Sequence, residues 1–441
     1  MTKKFAVVTL GCPKNQVDSE VMTGLLEQKF DYISAPEDAD IIIVNTCTFI
    51  DEAKEESVNT ILELAQLKDK GKILLAAGCM AQRYGEQLLQ EIPELDGVVG
   101  TDKIEEIAEA VTEAEHSRAC FLGGEVPDYL YSEKSLRRRS TPGYYAYVKI
   151  AEGCDNYCTY CVIPQVRGRF RSRREESVVA EVEALAADGV KEILLIAQDT
   201  TRYGLDLYGE LRLPKLLRSL ARIEGIEWIR LMYCYPEMFM DELIETMKSE
   251  PKICRYVDLP LQHADDKILR EMNRRGTAAE AEELIRKLRQ AMPEIVIRTT
   301  MITGFPGESE QEFQSLLSYV KRVQFDRLGV FAYSQEEGTA AARREDQIPI
   351  EIRETRREQV MALQYEIVLE RQARWIGKTL KVLVEEELPD GRFSGRTQGD
   401  APEIDGVVYI TKPSRKLKPG EFISVKIMEA DSYDLIGEVV L

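Results

Sequence analysis

Short apolar runs with strand-like spacing alternate with helix-length segments along most of this chain, and this alternation constrains the fold more than any other feature. In the first block the strand candidates are 5–10, 41–44 and 73–77, and the helical patterns are 17–28, 51–67 and 81–90. Regular alternation of this kind is typical of an α/β fold. We therefore expect an N-terminal open, largely parallel α/β sheet.

A polar and basic segment at 131–143 interrupts the alternation and ends in Pro-Gly, which is typical of an interdomain linker. The alternation then resumes with six more strand candidates, at 145–151, 192–197, 228–234, 256–261, 295–303 and 327–333. Six strand–helix units are fewer than a closed barrel of this kind needs. The central part is therefore predicted to be a partial, open (β/α)6 barrel.

The last part of the chain changes character. Residues 351–377 carry apolar spacing typical of a helix, and five short strands between 379 and 441 are separated by Pro-Asp-Gly, Ile-Asp-Gly and Lys-Pro-Gly turns. A small five-stranded antiparallel β-barrel is the simplest interpretation, and such barrels usually bind a macromolecule. The predicted domains are thus 1–135, 144–373 and 374–441.

Composition limits the cellular context and the partner. The N-terminal apolar stretch is too short for a membrane span or a secretory signal, and an odd count of nine cysteines favours metal sites or free thiols over disulfides. We expect a cytoplasmic protein with no membrane contact. The net charge of −19 opposes attraction to a phosphate backbone and favours a cationic partner.

Three cysteines, Cys154, Cys158 and Cys161, stand at CxxxCxxC spacing directly after the first strand of the predicted barrel. We call them the central triplet. Three thiolates can hold a cubane iron-sulfur cluster and leave one iron open to a substrate. The alternative, a structural zinc site, lacks a close histidine or fourth cysteine to complete its tetrahedral ligand set.

Three further cysteines, Cys12, Cys47 and Cys79, each follow a predicted strand of the first block. We call them the N-terminal triplet. Because the carboxyl ends of parallel strands share one edge of a sheet, these cysteines are expected to converge there. The alternative is that they are buried free thiols, which are common in protein cores. Convergence would provide a second three-thiolate site.

Several motifs together give this chain a specific resemblance. They are Gly11-Cys-Pro-Lys-Asn15, Asp18-Ser-Glu20, Asn45-Thr-Cys47, Gly78-Cys79, the central triplet, Ile163-Pro164 and Arg167-Gly168. With them the whole chain resembles the radical S-adenosylmethionine methylthiotransferases. Gln198-Asp-Thr200, Asp258-Leu-Pro-Leu-Gln-His263 and an acidic C-terminal barrel are similar to the branch that modifies an aspartate of a small-subunit ribosomal protein. The tRNA-modifying branch typically has Gln-Met after its first cysteine and a more basic barrel.

The resemblance implies a central radical-SAM barrel, a TRAM-like C-terminal barrel, two 4Fe-4S clusters and S-adenosylmethionine. One cluster would generate a radical from S-adenosylmethionine, and the other would carry the sulfur inserted at the aspartate β-carbon. It also implies a ribosomal protein as substrate, an electron donor and a sulfur source, with nucleic acid contact only indirect through the ribosome. Two alternatives stay open: a tRNA adenosine methylthiotransferase, and a noncatalytic protein with two clusters.

The resemblance also suggests residues that contact S-adenosylmethionine, each with a structural alternative. Tyr160 occupies an aromatic position near adenine in radical enzymes, but it could instead shield the cluster from solvent. Gln198 and Asp199 follow the second barrel strand, where the methionine amino group binds, or they cap the next helix. Gly304 and Gly307 would let the backbone approach the cofactor, or they form a tight turn.

The run Arg167–Arg174 is the strongest basic cluster of this acidic chain. It is expected either to contact carboxylates of the cofactor or substrate, or to form a solvated loop paired with Glu175 and Glu176. The predicted C-terminal barrel holds nine Lys and Arg against twelve Asp and Glu from residue 375 onward, a net charge of −3. That sign disfavours an RNA-binding barrel.

Overall fold

The computed structural model describes residues 2–68, 71–124, 127–411 and 415–440. The N-terminal elements are β1 (Lys4–Thr9), α1 (Pro13–Leu26), β2 (Asp31–Tyr32), β3 (Ile41–Thr46), α2 (Asp51–Ala65), β4 (Ile73–Gly78), α3 (Cys79–Glu91), β5 (Gly97–Gly100), α4 (Ile107–Ala114) and β6 (Ala119–Phe121). The six strands form one parallel sheet in the order β2-β1-β3-β4-β5-β6. The predicted open parallel sheet is confirmed.

The interior of this sheet explains why its strands were recognisable. Every residue of β3 and of β4 is buried, as expected for central strands of a parallel sheet that is covered by helices on both faces. The short strands β5 and β6, with sequences GVVG and ACF, were not predicted because neither has the length or alternation of a strand signal.

The central elements are β7 (Tyr145–Lys149), β8 (Ala151–Glu152), α5 (Ile163–Arg167), β9 (Arg171–Ser172), α6 (Glu175–Ala187), β10 (Glu192–Ile196), α7 (Leu205–Tyr208), α8 (Leu213–Ala221), β11 (Trp228–Leu231), α9 (Asp241–Ser249), β12 (Ile253–Asp258), α10 (Asp266–Glu271), α11 (Ala278–Ala291), β13 (Val296–Thr303), α12 (Glu310–Val323), β14 (Arg327–Ala332) and α13 (Ile350–Ala373). Six of these strands form a parallel sheet in the order β14-β13-β12-β11-β10-β7. The strand order follows the chain and the sheet does not close, so the partial barrel is confirmed.

The C-terminal elements are β15 (Thr379–Glu387), β16 (Phe393–Thr397), β17 (Val408–Thr411), β18 (Phe422–Asp431) and β19 (Asp434–Val439). They close into a barrel in the order β15-β16-β17-β19-β18. Four neighbouring pairs are antiparallel as predicted, but β17 and β19 pair in parallel. An odd number of strands cannot alternate direction around a closed ring, so one parallel pair is unavoidable. The last predicted strand residue, at 441, lies outside the described residues.

The 131–143 segment has no helix or strand, as expected of a linker, but it is not a solvated tether. The Arg137 guanidinium is nearly buried and lies 2.6 Å from carboxylate oxygens of Glu20 in α1 and Glu181 in α6. The segment therefore fastens the N-terminal sheet to the barrel. In the part of the chain that is described, no helix is long and apolar enough to cross a membrane.

Candidate active site between two cysteine triplets

The N-terminal triplet lies along the carboxyl edge of the first sheet. Cys12 precedes α1, Cys47 follows β3 and Cys79 begins α3, and the strands β1, β3 and β4 that lead to them are adjacent and parallel. At Gly11, whose φ is +87°, a Cβ would lie 3.1 Å from the Cys47 Sγ. The turn before Cys12 thus packs closely against Cys47. A side chain at residue 11 would be disfavoured both by this contact and by the positive φ, which glycine adopts freely.

Two asparagine side chains tie these three loops together. Asn15 Nδ2 donates to the carbonyl oxygens of Leu10 and Thr46 at 3.0 Å, and its Oδ1 accepts from the Cys79 thiol at 3.6 Å. Asn45 Nδ2 donates to the Asn15 carbonyl oxygen at 2.8 Å. The predicted convergence of the strand-end cysteines is therefore present and is held by buried amide groups.

The environment of these thiols suits a metal cluster. Burial raises the pKa of Cys79 to about 12 and also raises that of Cys47, and the neighbouring thiols act in the same direction. Such groups become thiolates when iron replaces the proton. No three His, Cys, Asp or Glu side chains among the described residues converge on a single metal ion. A cubane cluster needs a wider arrangement, because each thiolate binds a different iron. Three cysteine thiols at adjacent strand ends provide the donor type that such a cluster requires.

The central triplet occupies the loop between β8 and α5, at the carboxyl end of the first barrel strand. The Cys154 amide donates to the Gly168 carbonyl oxygen at 3.1 Å, and the Ile163 amide donates to the Cys161 Sγ at 3.5 Å. All three cysteines are partly exposed, and burial raises the pKa of Cys154 to about 12. The loop thus presents three thiols at the barrel mouth with backbone support.

Three of the residues predicted to contact S-adenosylmethionine have different surroundings. Tyr160 packs against a small apolar cluster that includes Phe305. Gln198 Nε2 donates to Glu152 Oε1 at 2.6 Å, whereas its buried Oε1 has no hydrogen-bond partner among the described residues. Asp199 accepts from Asn156, from the Thr201 hydroxyl and from the Arg202 amide, so it has the structural role of a cap. Gln198 is therefore the better candidate for a cofactor contact.

The two glycines after β13 have positive φ values, +71° for Gly304 and +80° for Gly307. A Cβ on Gly304 would lie 2.3 Å from the Cγ and 3.0 Å from the Cα of Arg353 in α13. A Cβ on Gly307 would lie 2.6 Å from the Asp346 carboxylate. Close packing of the 344–353 segment thus accounts for both glycines, and a contact with the cofactor stays a prediction.

A buried network of four charges joins the two halves of the site. Arg167, 3% exposed, donates to Asp18 at 2.9 Å and to Glu152 at 3.1 Å. Lys149 donates to the same two carboxylates at 2.5 and 2.7 Å. Arg167 also donates to Asn15 Oδ1 at 2.7 Å, the atom that accepts from the Cys79 thiol. The network therefore connects α1 and the N-terminal triplet to the loop of the central triplet.

This network corrects the expectations for the basic run. Arg167 is not on a solvated loop, and the carboxylates that it contacts belong to the protein itself. Arg173 is likewise buried and pairs with Glu181 at 2.5 Å, while Arg169 is largely exposed. Sequence reasoning missed Lys149 and Glu152. Their signal was present, because a lysine that ends an otherwise apolar strand needs a buried partner.

The far side of the barrel mouth is also fastened to the N-terminal sheet. The Glu336 carboxylate, in the segment after β14, lies 2.8 Å from Arg83 in α3 and 3.1 Å from Lys54 in α2. The first sheet is thus fastened to the barrel at two places, through α1 at the end of β7 and through α2 and α3 beyond β14. Its carboxyl edge, which bears the N-terminal triplet, is thereby tied through Arg167 to the loop that follows the central triplet.

Models of known protein families match three separate parts of the chain. Residues 4–100 match the Uncharacterized protein family UPF0004, residues 148–320 match the Radical SAM superfamily, and residues 376–440 match the TRAM domain. A radical S-adenosylmethionine methyltransferase structure, TsrM from Kitasatospora setae with cobalamin and a 4Fe-4S cluster bound, has a TM-score of 0.56 and 17% identity over 75% of each chain. That likeness is one of fold.

Relatives of known name are similar over the full length. A protein of Desulfitobacterium hafniense strain Y51, named ribosomal protein uS12 methylthiotransferase RimO, is 64% identical and is covered over 99% of its length by 100% of this chain. A protein of the same name from Clostridioides difficile strain 630 is 48% identical, with 99% of both chains covered. This chain therefore belongs to the radical S-adenosylmethionine methylthiotransferase family, in the group of proteins named ribosomal protein uS12 methylthiotransferase RimO.

Proposed function

We propose that this chain attaches a methylthio group to the β-carbon of an aspartate in the small ribosomal subunit protein uS12, and consumes two S-adenosylmethionine molecules for each product. The observation that carries the proposal is the pair of three-cysteine sites that the buried Arg167 network connects. Full-length relatives named for this activity support the choice of substrate.

We propose that each triplet holds one 4Fe-4S cluster: Cys154, Cys158 and Cys161 the first, and Cys12, Cys47 and Cys79 the second. When bound, the first cluster supplies the electron that cleaves S-adenosylmethionine to a radical, and the second supplies the sulfur that is inserted.

The residues around the triplets would position and shield the reactants. The unpartnered Oε1 of Gln198 would accept a hydrogen bond from the S-adenosylmethionine amino group. Tyr160 would lie near adenine, and Asp199, Gly304 and Gly307 would shape the loops around the cofactor. The buried network of Arg167, Lys149, Asp18 and Glu152 would fix the distance between the two sites.

The charge of the chain supports a protein substrate over tRNA. The whole protein carries −19 and its C-terminal barrel −3, whereas a fold that binds the RNA backbone needs an excess of Lys and Arg. An acidic surface favours a cationic partner, and nucleic acid contact would then be indirect, through the ribosome. The reaction also needs an external electron donor and a sulfur source. Free thiols and a ribosomal substrate fit a reducing cytoplasm, where we propose the reaction takes place.

The test compares two substrates in one anaerobic assay. Reconstituted protein is incubated with S-adenosylmethionine, a reductant, sulfide and either recombinant uS12 of Desulfitobacterium hafniense or unmodified tRNA. We expect uS12 to gain the mass of one methylthio group in place of one hydrogen, on an aspartate located by fragmentation, and tRNA to stay unmodified. Modified adenosine with unchanged uS12 would contradict the proposal, and so would S-adenosylmethionine that is not cleaved.

A further inference from the structure

The ammonium group of Lys14 lies at the interface of the two sites, and none of the described carboxylates pairs with it. Lys14 follows Pro13 in the first turn of α1, beside Cys12, and it is 7% exposed. Its Nζ lies 3.1 Å from the centroid of the Tyr233 ring, at the carboxyl end of β11. Within residues 2–68, 71–124, 127–411 and 415–440, Lys14 forms no ion pair.

The two cations of the buried network beside Lys14 are already neutralised. Arg167 and Lys149 share the carboxylates of Asp18 and Glu152, two positive charges against two negative ones. Deeper in the barrel, Arg298 lies 2.7 Å from Asp405 of the C-terminal domain. A substrate carboxylate that reaches this position would therefore meet, at Lys14, an ammonium group that no described carboxylate neutralises.

The partner of Lys14 in this structure is held in a costly conformation. Tyr233 has a φ of +58°, in the left-handed region that a bulky residue rarely adopts. Its amide donates to Asp258 Oδ2 at 2.9 Å, which fixes that conformation, and the residue is partly exposed. Strained backbone of this kind is retained where the surrounding structure enforces it, frequently at ligand-binding sites. The ring thus covers the buried ammonium group of Lys14.

We propose that Lys14 binds the carboxylate of the substrate aspartate and thereby holds its β-carbon between the two triplets. The inference rests on the proposed function and names the residue that recognises the substrate side chain. A charge-assisted hydrogen bond from a desolvated ammonium group to a carboxylate is stronger than its contact with a ring face, so an aspartate would displace Tyr233 as the partner. An asparagine, which carries no charge, would bind Lys14 less well.

The experiment measures discrimination between two forms of uS12. The modified aspartate is first located with the wild-type enzyme, and uS12 with that residue changed to asparagine is then prepared. Binding of both forms is measured for the wild type, Lys14→Met, Lys14→Arg and Lys29→Met. Lys29 is an exposed lysine of the same domain and serves as the matched control for loss of one positive charge. Iron content and S-adenosylmethionine cleavage without uS12 are recorded for each variant.

For the wild type and Lys29→Met we expect aspartate uS12 to bind about 10- to 100-fold more tightly than asparagine uS12, the effect of one charged hydrogen bond. Lys14→Met should lose this preference and keep its iron and its cleavage of S-adenosylmethionine, and Lys14→Arg should retain part of it. If Lys14→Met keeps the wild-type preference for aspartate uS12, the inference is wrong and the proposed function still stands. The same holds if Lys14→Met weakens only the binding of S-adenosylmethionine. Should Lys14→Met fail to fold, a wild type without the preference would overturn it equally. A wild type that leaves uS12 unmodified would refute the proposed function, and the inference with it.

Discussion

Replacement of Arg167 by methionine tests the buried network that holds the two sites together. The substitution keeps the apolar stem of the side chain and removes one of two positive charges, so Asp18 and Glu152 would share Lys149 alone. Both carboxylates are almost fully buried, at 1% and 5% exposure, and one negative charge would be left uncompensated. Loss of one partner of a buried ion pair costs about 3–5 kcal/mol. We therefore expect α1 to open from the barrel far more often.

Hydrogen exchange of the metal-free protein measures this opening without interference from the clusters. The cost corresponds to an increase of about a hundred- to a few-thousand-fold in the exchange rate of the α1 amides. Arg169→Met is the matched control, because Arg169 is largely exposed and lies 3.7 Å from its carboxylate partner. The double variant Arg167→Met/Glu152→Gln restores charge balance and should recover most of the protection. The reasoning would be refuted if the α1 amides of Arg167→Met exchanged at the wild-type rate. It would also be refuted if the double variant lost more α1 protection than Arg167→Met alone.

The same network predicts a dependence on pH. Burial alone would raise the pKa of Glu152, but the charges of Arg167 and Lys149 outweigh burial and hold that pKa well below its usual range. The ionised network therefore stabilises the folded protein above the pKa of an unfolded glutamate, about 4.3, and this contribution is lost as the pH falls toward the folded pKa. The protection of α1 should fall on acidification, and it should fall less steeply in Glu152→Gln. Equal pH dependence in both proteins would contradict this assignment.

Four further substitutions have distinct expected outcomes. Cys154→Ala and Cys12→Ala should each lose the iron of one cluster and keep that of the other, as measured by iron analysis and by the cluster absorption. Loss of all iron from either variant would contradict two separate sites. Arg396→Met removes a buried cation that bridges the C-terminal barrel to the central one. The free energy of unfolding in urea should therefore fall by about 3–5 kcal/mol, as followed by the fluorescence of Trp228 at that junction. An unchanged free energy of unfolding would contradict this role of Arg396. Gly304→Ala should destabilise the fold by about 1–3 kcal/mol and leave S-adenosylmethionine binding unchanged, because the added Cβ meets Arg353 of α13. Weakened binding at unchanged stability would instead assign Gly304 to the cofactor site.

The sequence was sufficient to predict the fold because the strands have buried, apolar signals. The runs that became β3, β4 and β10 are fully buried, and the alternation of strands with helices is enough to indicate two parallel sheets. The convergence of Cys12, Cys47 and Cys79 also followed from sequence, because each stands at a strand exit and the exits of parallel strands share an edge.

The partners of the buried charges could not be predicted in this way. Arg167 lies far along the chain from Asp18, and no local pattern links them. Glu192 appeared to be one residue of an apolar strand, yet it pairs inside the barrel with Arg230 and with Arg396 of the C-terminal domain. A charged residue such as Glu192 can be buried inside the open barrel because the C-terminal domain supplies Arg396 as its partner. That pairing appears only when the domains are assembled.

The central claim is that two cysteine sites perform separate tasks on one substrate. The most direct measurement is the yield of 5′-deoxyadenosine and of methylthiolated uS12 in the same anaerobic reaction, for the wild type and for Cys12→Ala. We predict both products for the wild type, and 5′-deoxyadenosine without methylthiolated uS12 for Cys12→Ala, because the central triplet is intact in that variant. Methylthiolated uS12 produced by Cys12→Ala at the wild-type yield would contradict the account.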